Sequence, residues 1–127
     1  MATKQASMLY KPVYHGEEGN QSKAGGAYTF AADASGTIIQ LRKLPLGTKI
    51  TGVEYVNAAL GTSVTLDIAV GATTLISALA CASAGNGYRP VADVTLAADS
   101  FLTLTVGGAA ATGAVTVRVI YEYVGNL

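Results

Sequence analysis

The chain has 127 residues, half of them hydrophobic, and its eight basic side chains balance eight acidic ones to a formal net charge of zero. That length fits one domain with a real core, while the lack of a basic excess or stripe argues against a nucleic-acid binder. Only 13% of residues are charged, against about 25% in ordinary globular chains, so the surface suits burial against other subunits.

Residues 1–26 differ from everything after them. They hold Lys4, Lys11, Glu17, Glu18 and Lys23, the sole histidine, His15, and four glycines. Apolar residues cluster once, in Met8-Leu9-Tyr10-Lys11-Pro12-Val13-Tyr14, and Pro12 biases Lys11 toward an extended backbone. The segment reads as an extended arm. It is either a frayed terminus or an arm docking on a neighbouring subunit, with Met8, Leu9, Tyr10, Pro12 and Tyr14 as the contact residues, since aromatic residues and Met are enriched in interface cores. The first residues lack the apolar core of a secretory signal, so synthesis and assembly in a cytosol are expected. No apolar run reaches the ~18 residues of a membrane-spanning helix, and no membrane partner is expected.

Residues 27–127 read as one β-domain. Ala27 to Ala31 forms a short strand, and Thr37 to Lys43 a second, ended by Leu44-Pro45-Leu46-Gly47. Thr48 to Asn57 is longer, with Gly52 marking a bulge or a close approach. Thr62 to Val70 alternates cleanly, with Val64, Leu66, Ile68 and Val70 on one side. Thr73 to Ala82 reads as a strand, although its short apolar run also fits one short helix. Ala84-Gly85-Asn86-Gly87 is a turn, and Pro90 demotes the first half of Tyr88 to Leu96 to an edge or a loop.

The last third, Phe101 to Val124, reads as a hairpin around a Gly/Ala/Thr loop. Val115, Val117, Val119, Tyr121 and Tyr123 share one face, and Thr116, Arg118 and Glu122 share the other, with Ile120 as its single apolar member. The exposed row, with Thr103 and Thr105 from the first strand, is a candidate subunit contact, and Arg118 and Ile120 are its leading residues. A hairpin with one dry face needs a covering sheet. About eight strands with regular turns predict an all-β, antiparallel, jelly-roll-like β-sandwich with an extended N-terminal arm; an immunoglobulin-like sandwich is the alternative. The segments VTLDIAVGATT (Val64 to Thr74) and LTLTVGGAAAT (Leu102 to Thr112) echo each other, as two equivalent strands in facing sheets would.

No segment carries catalytic chemistry, so no enzyme activity and no cofactor are expected. His15 beside Glu17 and Glu18 lacks the three or four converging ligands of a metal site. The Gly-rich turns lack the Lys-Ser/Thr ending of a phosphate loop. Cys81 sits in an apolar run with no neighbouring base and reads as a buried, inert thiol.

Two stretches, TIIQLRKLPLGTKITGVEYVNAALGTSVTLDIAVG (Thr37 to Gly71) and ADSFLTLTVGGAAATGAVTVRVIYEYV (Ala98 to Val124), resemble small structural proteins of tailed-bacteriophage heads. These are the decoration or cement proteins that bind the outside of the shell of major capsid protein. The resemblance implies a jelly-roll-like sandwich that forms homo-oligomers, with trimers favoured and dimers the alternative. It also implies a place on the outer capsid surface of the virion after synthesis in the host cytoplasm. Its partner would be the major capsid protein, whose neighbouring subunits it bridges to stabilise the head. A tail, fibre or head-spike component is a related reading. A carbohydrate- or receptor-binding sandwich is a further one, for which Tyr88 is the best-placed ring, although loop packing is the plainer role for it.

Overall fold

The computed structural model describes residues 3–7, 9, 10 and 21–123. Met8, Pro12 and Tyr14, together with the His15-Glu17-Glu18 group, lie outside the described residues. Among the described residues the strands are β1 (Thr3–Gln5), β2 (Gln21–Asp33), β3 (Ile38–Leu44), β4 (Thr48–Asn57), β5 (Thr65–Val70), β6 (Thr73–Ala80), β7 (Gly85–Thr95), β8 (Ser100–Gly107) and β9 (Ala111–Tyr123). Among the described residues no helix is long and apolar enough to cross a membrane.

The strand pairing is nested. β5 pairs with β6, β4 with β7, β3 with β8 and β2 with β9, every pair antiparallel. The chain is therefore one long hairpin folded at the Gly71-Ala72 turn, where Gly71 takes a φ of 58°. Rolling that hairpin brings β9 beside β4 and β8 beside β5. Two four-stranded layers result, β2-β9-β4-β7 and β3-β8-β5-β6, which is jelly-roll topology. β1 adds to the second layer in parallel with β3.

Period-two alternation decides what fills the space between the layers. Leu66, Ile68, Leu102, Leu104 and Ile39 come from one layer, and Ile50, Val53, Val117, Val119 and Tyr121 from the other, each nearly or wholly buried. Burying one such side chain contributes about 1.5–3 kcal/mol. The bulge in β4 between Ile50 and Gly52 shifts the phase of the strand by one, so Ile50 and Val53 both face the core. Asn57, a buried polar residue, is satisfied by donating to the carbonyls of Ala58 (2.9 Å) and Ser83 (3.0 Å).

Several expectations from the sequence need correction. The first long strand starts at Gln21 rather than Ala27, inside the stretch expected to be arm, and Thr3–Gln5 is a strand as well. The Phe101 to Val124 segment is not a hairpin: β8 and β9 belong to opposite layers. Gly108, with a φ of 81°, carries the crossing, and a Cβ there would meet the Ser63 carbonyl oxygen at 1.9 Å. The two echoing strands, β5 and β8, are paired neighbours in one sheet, not equivalents in facing sheets. Thr73–Ala80 is strand, and Gly52 does mark a bulge.

Candidate interaction surface

Strand register builds the outer face of the β2-β9-β4-β7 layer row by row. Gly25, Arg118, Glu54 and Tyr88 lie opposite one another across the four strands. The next row is Ala27, Thr116, Val56 and Asn86, and the one on the other side is Lys23, Ile120, Gly52 and Pro90. The sequence-predicted residues Arg118 and Ile120 therefore sit at the centre of this face, both partly exposed. Thr103 and Thr105 do not join them, because β8 turns its polar side outward on the opposite layer.

Glu54 ties the face together. It accepts from Lys23 Nζ at 2.9 Å and from Arg118 Nε at 2.9 Å, with Arg118 Nη2 at 2.8 Å. The bonds from Lys23 and then Arg118 hold the Glu54 carboxyl below its ordinary value, since both favour the ionised form. Beside this network stand two large apolar side chains in solvent, Val56 at 45% and Tyr88 at 53% exposure. An open cleft of about 410 Å³ lies among Glu54, Val56, Asn86, Tyr88 and Arg118. Exposed apolar groups ringed by paired charges have the make-up of a protein contact surface.

The N-terminal candidates separate. Ala6 N–H donates to the Gln40 carbonyl (3.0 Å), Leu9 N–H to Ala6 (3.1 Å), and Lys43 N–H to Leu9 (2.9 Å). These bonds seat Leu9 in the chain's own interior at 2% exposure, which corrects its assignment as an anchor for a neighbour. Tyr10 is 66% exposed. Lys4 of β1 pairs with Asp33 at the end of β2, and this hydrogen bond raises the Lys4 pKa.

Sequence reasoning missed Lys23, Glu54 and Val56 as members of this face. Lys23 falls in the stretch whose composition reads as an arm, and the β4 bulge hides the phase that puts Glu54 and Val56 outward. Tyr88 projects from strand β7 rather than packing a loop. Elsewhere, Cys81 is wholly buried, and burial pushes its thiol up to about 11. Among the described residues no three of His, Cys, Asp and Glu are grouped to hold a metal ion.

Neither a protein-family model nor a curated protein matches this sequence. Three solved structures share its fold. A chain in the capsid of Ralstonia phage GP4 is similar at a TM-score of 0.72 and 19% identity, over 98% of this chain and 99% of that one. A chain in the capsid asymmetric unit of cyanophage Pam1 follows at 0.66 and 25% identity, over 87% and 90%. A chain in the acid-stable capsid of Helicobacter pylori bacteriophage KHP30 has a TM-score of 0.53 and 16% identity, over 85% and 91%. In each case the jelly roll accounts for nearly the whole of the matched chain.

Proposed function

We propose that this chain is a non-enzymatic structural protein of a bacteriophage virion, which binds the outer surface of the capsid shell and bridges neighbouring subunits of major capsid protein. The observation that carries this reading is the end-to-end likeness to small chains that are parts of phage capsids. The outer face centred on Arg118 and Ile120 is the docking surface in this reading, with Tyr10 as a further contact.

Assembly into trimers, with dimers as the alternative, fits the same physics. Several weak contacts held in one oligomer raise each other's effective concentration, so a symmetric clamp binds far more tightly than one copy. Residues rich in Thr, Ser and Ala lose little side-chain entropy when such a face is covered. The deciding experiment is co-sedimentation of the purified protein with expanded shells that lack it, alongside a solution mass measurement. Saturable pelleting at a fixed ratio to major capsid protein supports the reading. Protein that stays in the supernatant, or that cryo-EM finds only on tails or fibres, refutes it.

A second reading, a carbohydrate-binding sandwich, draws on the exposed Tyr88 ring beside Asn86, because sugars stack on exposed aromatic faces. A glycan array without hits disposes of it.

A further inference from the structure

The outer face of the β3-β8-β5-β6 layer differs in make-up from the face that carries Arg118 and Ile120. Register sets Ile38, Thr105 and Asp67 in one row across it, and Gln40, Thr103 and Ala69 in the next. Their chain neighbours Ile39, Leu104 and Ile68 fill the core, so alternation turns both rows outward. Asp67 is the one ionised side chain in these rows. Its Oδ1 accepts from the Ala78 N–H at 2.7 Å, and it has no cation partner among the described residues. Short, uncharged side chains lose little entropy on burial, and interface cores are poor in charge.

A matching cation stands elsewhere on the chain. β6 and β7 follow one another in sequence and are the outermost strands of opposite layers, so together they border one flank of the sandwich. Leu75 on β6 and Val91 and Val94 on β7 pack on the core there with part of each side chain left in solvent. Arg89 lies opposite Val53, a core residue. Its exposed side chain therefore leaves β7 toward this flank and not on the outer face with Tyr88. Lys4, Lys23, Lys43, Lys49 and Arg118 each pair with a carboxylate, whereas Arg89 has none among the described residues. Glu122, the other described acid without an ion pair, faces Lys49 across the β4–β9 pair, which offsets its charge. Asp67 has only Thr105 opposite it on β8.

We propose that a second copy of this chain docks its β6–β7 flank on the outer face of the β3-β8-β5-β6 layer, with Arg89 of one copy paired to Asp67 of its neighbour. The inference rests on the reading that the chain forms homo-oligomers, and it names the two surfaces that meet. The lone cation and the lone acid lie on different surfaces, and each supplies the charge that the other lacks. A guanidinium suits an ion pair covered by an interface. A flank against a face is a head-to-tail contact, which closes into a ring and so fits a trimer. Direct strand pairing between copies is blocked at this edge. Pro90 has no N–H, and the pairing of β7 with β4 jumps from Val94 to Pro90 against Ile50 and Gly52; both features guard sheet edges. Side chains must therefore make the contact, and the face with Arg118 and Ile120 is left for the shell.

The test measures the mass of the full chain and its variants by sedimentation equilibrium. The parent is expected to be a trimer, Arg89→Asp and Asp67→Lys each to weaken assembly at least about tenfold, and the double exchange to restore it. Asp67→Lys also removes the acceptor for the Ala78 N–H, so Asp67→Asn, whose amide oxygen keeps that bond, is run beside it and is expected to weaken assembly as well. A short bismaleimide gives an independent reading, because the native Cys81 is buried. Arg89→Cys copies mixed with Asp67→Cys copies are expected to cross-link, and neither variant alone. A monomeric or two-fold dimeric parent, masses untouched by Arg89→Asp and Asp67→Asn, a folded double exchange that stays dissociated, or a mixture that does not cross-link would overturn the assignment. Shell co-sedimentation keeps the two readings apart. A monomeric parent that still pellets removes this contact and leaves shell binding standing. A trimer that responds as expected but stays in the supernatant removes shell binding and leaves this contact.

Discussion

Tyr88 lies with its ring across Gly52: a Cβ at position 52 would stand 2.5 Å from Tyr88 Cε1 and 2.8 Å from its hydroxyl oxygen. The obstacle is the far end of an exposed side chain, which can swing into solvent. Gly52→Ala is therefore expected to cost under about 1 kcal/mol of stability while displacing Tyr88 from the outer face proposed to dock. Thermal melting and shell co-sedimentation check this together. A Tm within a few degrees of the parent with weaker pelleting is the expected pair. A collapsed Tm would mean that the ring is fixed in place.

Gly25 looks similar in sequence but is physically different. Its Cβ would meet the Val117 carbonyl oxygen at 2.0 Å and the Arg118 Cα at 2.7 Å, both backbone atoms of the paired strand. No rotamer relieves that clash, so β2 must separate from β9. Gly25→Ala is expected to cost about 3 kcal/mol or more, among the larger effects of single substitutions. A shift of the urea midpoint at unchanged slope measures it, and a midpoint near the parent's would contradict the observed register.

The N-terminal cluster divides between neighbouring positions. Leu9 is buried in the chain's own interior, so Leu9→Ala is expected to cost about 2–5 kcal/mol. Tyr10 faces solvent, and Tyr10→Ala is expected to leave stability within about 0.5 kcal/mol and to reduce shell binding. Truncating the whole segment would mix the two effects, because it removes β1 and its Lys4–Asp33 pair along with the exposed ring. Paired melts and binding curves of the two point variants keep them apart.

Much of the sandwich could be read in the residues, because alternation in β5, β8 and β9 is local and each strand shows its buried side. What could not be read is where a turn leads. Gly71-Ala72 joins paired neighbours and Gly107 to Ala110 joins opposite layers, yet both are small-residue turns after an alternating strand. The difference lies in contacts made far along the chain, such as the approach of Gly108 to the Ser63 carbonyl. The make-up of the outer face of the β2-β9-β4-β7 layer was half legible for the same reason. Arg118 and Ile120 declare their side through the phase of β9, whereas Glu54 and Val56 follow a bulge that shifts the phase without marking it. Lys23 joins the face only through its register with Ile120.

The buried thiol supplies a pH prediction. An unfolded chain releases the Cys81 proton near its ordinary value of 9.0, and the folded chain holds it to about 11. Between those values the folded state binds more protons than the unfolded one, so stability falls as pH rises. The loss is expected to begin near pH 9 and to level off above pH 11 for this group. Cys81→Ala removes that slope, and denaturant melts across the range read it. In the native protein at pH 8 the thiol is expected to resist Ellman's reagent until the chain unfolds, and rapid labelling would place it at the surface instead.

Ile120 gives the sharpest separation of folding from binding. It is partly exposed, and its register partners are Lys23 on β2 and Gly52 on β4. An aspartate introduced there would lie opposite a lysine on a wet sheet face, and opposite charges across a strand pair are mildly favourable. Ile120→Asp is therefore expected to melt within a few degrees of the parent. At a contact surface the same change removes an apolar side chain from the centre of the patch and buries a carboxylate in its place. Loss of an anchor at the centre of an interface costs upwards of about 2 kcal/mol, a drop of more than tenfold in affinity. Co-sedimentation with shells and the solution mass of the variant tell which contact is lost. Failure in the first alone assigns the face to the shell, and failure in the second assigns it to the oligomer. Full retention of both would remove the outer face of β9 from the docking surface.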